Sequence, residues 1–197
     1  MKRALLTLAL GTALLGTAHA GGADPSAMSG TAMMMRMSME MHASMQPVMD
    51  DLRRLSGAAF DRAFYSMMIP HHQSAIDMSR AALPTLKDAT VRAWAQAIIN
   101  DQQKEIAEMQ AKLRPLGGVD TARQTRMKQA MMGMMSMPVS DRTFLEMMIP
   151  HHGSAIDMGN LALQRGHGEG TVNMAQRIVT AQAKEIQEFQ AWLRTHP

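Results

Sequence analysis

Two histidines beside two methionines occur twice in this chain at a fixed interval. The run Met67-Met68-Ile69-Pro70-His71-His72 recurs as Met147-Met148-Ile149-Pro150-His151-His152. In both copies one variable residue and then Ser-Ala-Ile-Asp-Met follow, ending at Met78 and Met158. Residues four apart stack on one face of a helix, so Met67 with His71 and Met68 with His72 form two candidate sulfur–nitrogen clamps. Met147 with His151 and Met148 with His152 repeat them. Thioether plus imidazole is a ligand mixture suited to monovalent copper, Cu(I), and to silver. Met78 and Met158 lie about 10 Å further along the axis at about 1.5 Å per residue, where they would serve a second ion or pack as core. A single histidine on an apolar seam is most simply a hydrogen-bonded core residue. Adjacent pairs in two copies are harder to explain by packing, because each buried imidazole needs a polar partner.

Composition points the same way. The chain has Met 24 and Cys 0, with aromatic residues at only 4%. Methionine fills core gaps, but it is also a soft ligand that forms no disulfide in an oxidising compartment. Lys2 and Arg3, the apolar stretch from Ala4 to Leu15 and Ala18-His19-Ala20 read as a secretory signal over residues 1–20. An exported product, periplasmic or secreted, is therefore expected. No later stretch has the 18 or so apolar residues of a membrane span. Without Lys2 and Arg3 the formal charge falls from +3 to +1 with its signs interspersed, which argues against nucleic acid as a partner.

The elements that must position these residues are helices. Phe60, Phe64, Met67, His71, Ala75, Met78 and Ala82 fall at alternating steps of four and three, and Ala95, Ile98, Gln102, Ile106, Met109 and Leu113 mark a mate helix. The same hairpin returns 80 residues later. Residues 21–55 read as a methionine-rich leader, 56–115 as the first hairpin, 116–139 as a methionine-rich linker with a short helix, and 140–197 as the second hairpin. Four rods of matched length predict an all-α fold, an antiparallel four-helix bundle with extra methionine-rich helices. In the leader, Met34, Met37, Met41 and Met45 sit at helical spacing beside His42, with the helix expected to stop near Pro47. Together with Met131, Met132, Met134, Met135 and Met137 they are candidate recruitment groups. Gln102 and Gln182 interrupt apolar seams, and Glu105 and Glu185 lie one turn on, placed to orient the imidazoles. Asp61 and Asp141 read as charges favourable to helix N-termini.

The motif Met-Met-x-Pro-His-His-x-x-Ala-Ile-x-Met, followed by a helix with Gln-x-x-Glu-Ile, resembles the bacterial family called domain of unknown function 305. The likeness covers residues 67–78 with 102–109 and 147–158 with 182–189. It implies a ferritin-like bundle and, through exported methionine-rich relatives, a role in copper binding and resistance. It also carries His71, His72, Met67, Met68, Met78 and their second-half partners over as ligands. The second half departs from the first at Phe189, where Met109 stands. Ferritin-like di-iron enzymes use Glu-x-x-His on two helices, and none of the eight histidines here has Glu three residues before or after it.

The sequence thus predicts an exported protein that binds Cu(I) or silver through Met and His. It would buffer the ion or exchange it with a donor or acceptor protein, and catalysis is not the favoured role. The alternatives are a Zn or Cu enzyme with Glu105 or Glu185 as base, and a partner-binding bundle without metal.

Overall fold

The computed structural model describes residues 30–132 and 140–196. Among them are six α-helices and no strand: α1 (Gly30–Arg53), α2 (Gly57–Ala82), α3 (Ala89–Leu113), α4 (Thr121–Met131), α5 (Asp141–Arg165) and α6 (Glu169–Thr195). The fold is all-α. The expected signal segment, and Met134, Met135 and Met137, lie outside the described residues, as does the side chain of Met34.

Local chemistry sets the helix ends. Asp88 accepts hydrogen bonds from Thr90 N and Val91 N at the start of α3, and Asp120 accepts one from Arg123 N at the start of α4. Ser140 and Thr143 form a reciprocal capping box on α5. After α3 a short 3-10 turn, Arg114–Leu116, leads into Gly117 and Gly118, whose φ of 88° and 78° only glycine adopts without strain. Pro47, Pro70 and Pro150 all lie inside helices, so α1 runs through the expected stop at Pro47 to Arg53.

α2 and α5 form the central pair, with α3 packed on α2 and α6 on α5. Trp94 against Phe189, at 5.2 Å between ring centroids, and Arg177 with Glu108, at 2.7 Å, join α3 to α6 and close the four-helix ring. α1 and α4 then cover the exposed flanks of α5 and α2 and touch each other. Asp51 of α1 receives both Arg123 and Arg126 of α4. This extra layer is why α2 is buried without interruption from Ala63 to His72, and α5 from Phe144 to His152, rather than along one stripe.

Asp61 and Asp141 do more than favour a helix dipole. Asp61 accepts from His167 N at 2.9 Å and Gly168 N at 2.8 Å, in the turn between α5 and α6. Asp141 accepts from Lys87 N at 2.9 Å and Asp88 N at 3.2 Å, in the turn between α2 and α3. Each half therefore caps the other half's hairpin turn, at positions related by the same 80-residue interval.

Candidate metal centre

The antiparallel crossing of α2 and α5 brings the two histidine pairs together at the middle of the bundle. His71 and His151 face each other with ring centroids 4.0 Å apart and planes tilted by 46°, and each lies 6.2 Å from its own neighbour, His72 or His152. All four rings are fully buried. His71 Nε2 lies 2.7 Å from Ser154 Oγ, and His151 Nε2 lies 2.7 Å from Ser74 Oγ, a reciprocal exchange between the halves. Each serine also donates to the carbonyl three residues back, Ser74 to His71 at 2.7 Å and Ser154 to His151 at 2.8 Å. A carbonyl can only accept, so it takes the single hydroxyl hydrogen and leaves the imidazole Nε2–H as donor to the serine.

The outer histidines turn to their own hairpin partners. His72 Nε2 donates to Glu105 at 2.8 Å. His152 Nε2 sits 2.7 Å from Glu185, though its N–H is poorly aimed at the oxygen. On all four rings Nδ1 is buried and unpartnered. At His71 and His151, with the proton on Nε2, Nδ1 presents its lone pair, which is how a metal-ligating imidazole is held: one nitrogen oriented by a polar group, the other free for the ion. The buried amides of Gln102 and Gln182 are unpartnered too, at both their oxygen and their nitrogen. Burial first, then the neighbouring imidazoles, holds His71 and His151 well below the ordinary histidine value of 6.5, so both rings are neutral at physiological pH.

The motif methionines fall into two apolar clusters, each mixing both halves. Met67 and Met68 share one cluster with Met158, and Met147 and Met148 share the other with Met78. All six are buried. Each cluster thus holds three of the motif thioethers. Among the described residues no three His, Asp or Glu side chains converge on one point, so a site at the pairs would draw on sulfur to complete its ligands.

Two grooves flank the central helices. One, of about 640 Å³, lies between α1 and α5 and is lined by Met41, His42, Met45, Pro150, Ser154 and Asp157. The other, of about 340 Å³, lies beside α4 and is lined by Pro70, Ser74, Asp77, Gln124, Met131 and Met132. Pro70, Ser74 and Asp77 are the repeat equivalents of Pro150, Ser154 and Asp157. The lining of each groove includes a serine that contacts the inner histidine of the other half. Met41 and Met45 pack into the core while touching their groove, Met37 is half-buried, and His42 is exposed with Nε2 2.7 Å from Gln46. Met39 is 73% exposed and Met35 63%. α1 is therefore a packing element and a groove wall at once. Ser74 and Ser154 were not among the candidates from sequence, although their recurrence one turn after the histidines was a readable signal.

The architecture defines a class: helical-hairpin proteins whose halves bury a histidine quartet flanked by methionine clusters. The chain belongs to the family described as Domain of unknown function (DUF305), which matches residues 12–113 and 141–197. Among solved structures it is similar to CopM in the Cu(I)-bound form, at 28% identity and a TM-score of 0.58, covering 68% of this chain and 96% of that one. CopM in a form Ag-bound by soaking matches at the same identity and score. A DUF305 fragment from Deinococcus radiodurans matches at 27% identity and a TM-score of 0.57, covering 68% of this chain and 95% of that one. No curated protein matches the sequence. None of the helices among the described residues is long and apolar enough to cross a membrane.

Proposed function

We propose that this is an exported protein that binds monovalent copper or silver as cargo, buffering the ion or passing it to a partner protein. The observation that carries the reading is the set of four buried Nδ1 atoms without partners on rings whose Nε2 atoms face serine or glutamate, with motif methionines in the same core. Cu(I) and Ag(I) accept imidazole and thioether together, and neutral rings present no proton that the ion must displace at His71 or His151. The likeness to CopM, solved with Cu(I), with Cu(II) and with Ag, supports copper or silver as the ion, and the thioethers favour the monovalent state.

The mechanism is stepwise ligand exchange. Met41, Met45 and His42 in one groove, and Met131 and Met132 in the other, capture the ion where solvent reaches it. Ser154 or Ser74 then gives way, and the ion moves inward to the imidazoles and to Met67, Met68, Met147, Met148, Met78 and Met158. Glu105 and Glu185 orient His72 and His152 and offset the ion's charge. Residues 1–20 act as the export signal, with a periplasmic or secreted destination.

Titration with Cu(I) against a competing chelator tests this. The reference is a variant with His71, His72, His151 and His152 all changed to Gln, with a His72→Gln/His152→Gln variant as the milder comparison. Weaker binding in both, at unchanged helical content, is expected. Wild-type affinity in both would remove the buried site.

A further inference from the structure

The two ends of the bundle differ in a way that the motif repeat hides. At the 80-residue interval Met109 corresponds to Phe189, and Trp94 corresponds to Met174. The exchanged residues meet in space. Phe189 lies 5.2 Å from Trp94 and 5.8 Å from His152, ring to ring, so an aromatic pair fills the space beside the second outer histidine.

Elsewhere the halves repeat closely. Glu105 stands 2.8 Å from His72 and Glu185 2.7 Å from His152, both His–His neighbour distances are 6.2 Å, and the two aspartate caps are equivalent. By the 80-residue repeat, the positions equivalent to Phe189, His152 and Trp94 are Met109, His72 and Met174. An independent contact supports that register: Arg177 bonds Glu108 at 2.7 Å, tying α3 to α6 one residue from Met109 and about one turn from Met174. Both methionines are fully buried, and both belong to the cluster that holds Met67 and Met68.

We propose that a soft-ion site forms beside His72, from its Nδ1 with the thioethers of Met109 on α3 and Met174 on α6, and that Phe189 and Trp94 deny His152 the counterpart. The proposal rests on the soft-ion reading above and adds two ligands and an asymmetry that reading does not contain. Two thioethers and one imidazole make a three-coordinate set suited to Cu(I) or Ag(I). His72 is oriented for it by Glu105, whose carboxylate offsets the ion's charge through the ring. At the other end a phenyl ring and an indole occupy the equivalent positions and supply no ligand lone pair.

The test uses the full exported chain with Ag(I) as the probe, followed by the NMR signals of the methionine methyl groups. Addition of Ag(I) is expected to shift the Met109 and Met174 methyls. Met109→Leu keeps the apolar volume and removes the sulfur. It is expected to weaken one ion by about tenfold or more, the scale seen even for groups one step removed from a metal. The double change Phe189→Met with Trp94→Met is expected to add a bound ion. Unmoved Met109 and Met174 signals at saturation, or wild-type affinity and stoichiometry in Met109→Leu, would overturn the asymmetric site while leaving the general soft-ion reading intact. A wild-type chain that binds no Ag(I) at all would overturn both.

Discussion

His71 of the first half and Ser154 of the second lie 2.7 Å apart, Nε2 to Oγ, and Ser74 with His151 returns the contact at 2.7 Å. These two buried bonds sit where α2 and α5 cross, so the histidines join the halves as well as offering ligands. Removing the hydroxyl takes the serine acceptor from a buried N–H. Ser154→Ala is expected to lower unfolding stability by about 1–3 kcal/mol, and Ser74→Ala by a similar amount. Urea denaturation measures both, and a change below a few tenths of a kcal/mol would mean that the rings reorient at little cost.

The neutrality of the inner rings has a pH signature. His71 and His151 are held well below 6.5 by burial and by neighbouring imidazoles, so in the folded protein they resist protonation. In the unfolded chain the same residues take up protons as pH falls through 6.5. The unfolded state then binds more protons, and stability drops as pH falls below that point. The slope approaches about 1.4 kcal/mol per pH unit for each of the two rings. Thermal unfolding of the ion-free protein between pH 7.5 and 5 should show it, and a His71→Gln/His151→Gln variant should show a flatter profile.

The reciprocal aspartate caps make a separable claim about the scaffold. Asp61→Ala strips acceptors from His167 N and Gly168 N at the start of α6, at a cost of about 0.5–2 kcal/mol. Hydrogen exchange should rise first around residues 167–172, in the half that does not contain the substitution. Faster exchange confined to α2 would contradict the cross-capping.

Much of the scaffold could be read from local periodicity. The steps of four and three that carry Phe60, Met67, His71 and Met78 are a property of one helix, and they locate α2, α3, α5 and α6 without reference to anything distant. What periodicity does not contain is which side of α2 meets α5. The pairing of Ser74 with His151 spans 77 residues and exists only because the helices cross antiparallel at that level. Helices at the positions of α1 and α4 are expected from the sequence, but whether their methionine stripes dock is not in the periodicity. Met41 and Met45 form a stripe that a free helix and a docked one share, and only the docked arrangement makes them both core and groove wall. Glu105 could be anticipated at His72 because both lie on seams of one hairpin.

Capture in the groove predicts a kinetic effect without a stability effect. Met41→Leu with Met45→Leu keeps the apolar volume, so stability should change by less than about 1.5 kcal/mol per site. Ion uptake followed by stopped-flow mixing with a chelated Cu(I) donor should slow. An unchanged rate would make α1 a packing element alone.

The glutamates that hold the outer rings should matter for affinity more than for folding. Glu105→Gln retains an acceptor for His72 Nε2 but removes the charge. A loss of about 10–100-fold in affinity for the ion is expected, read by competition with a chelator. Glu185→Gln is expected to cost less, because His152 aims its N–H poorly at that carboxylate.

The central claim is that one ion is held by sulfur and imidazole together. X-ray absorption at the copper edge of the Cu(I)-loaded protein reads this directly. A first shell containing both sulfur and nitrogen, with the nitrogen component lost when His71, His72, His151 and His152 are changed to Gln, is the expected result. A shell of nitrogen and oxygen without sulfur, or one that those four substitutions leave unchanged, would contradict it.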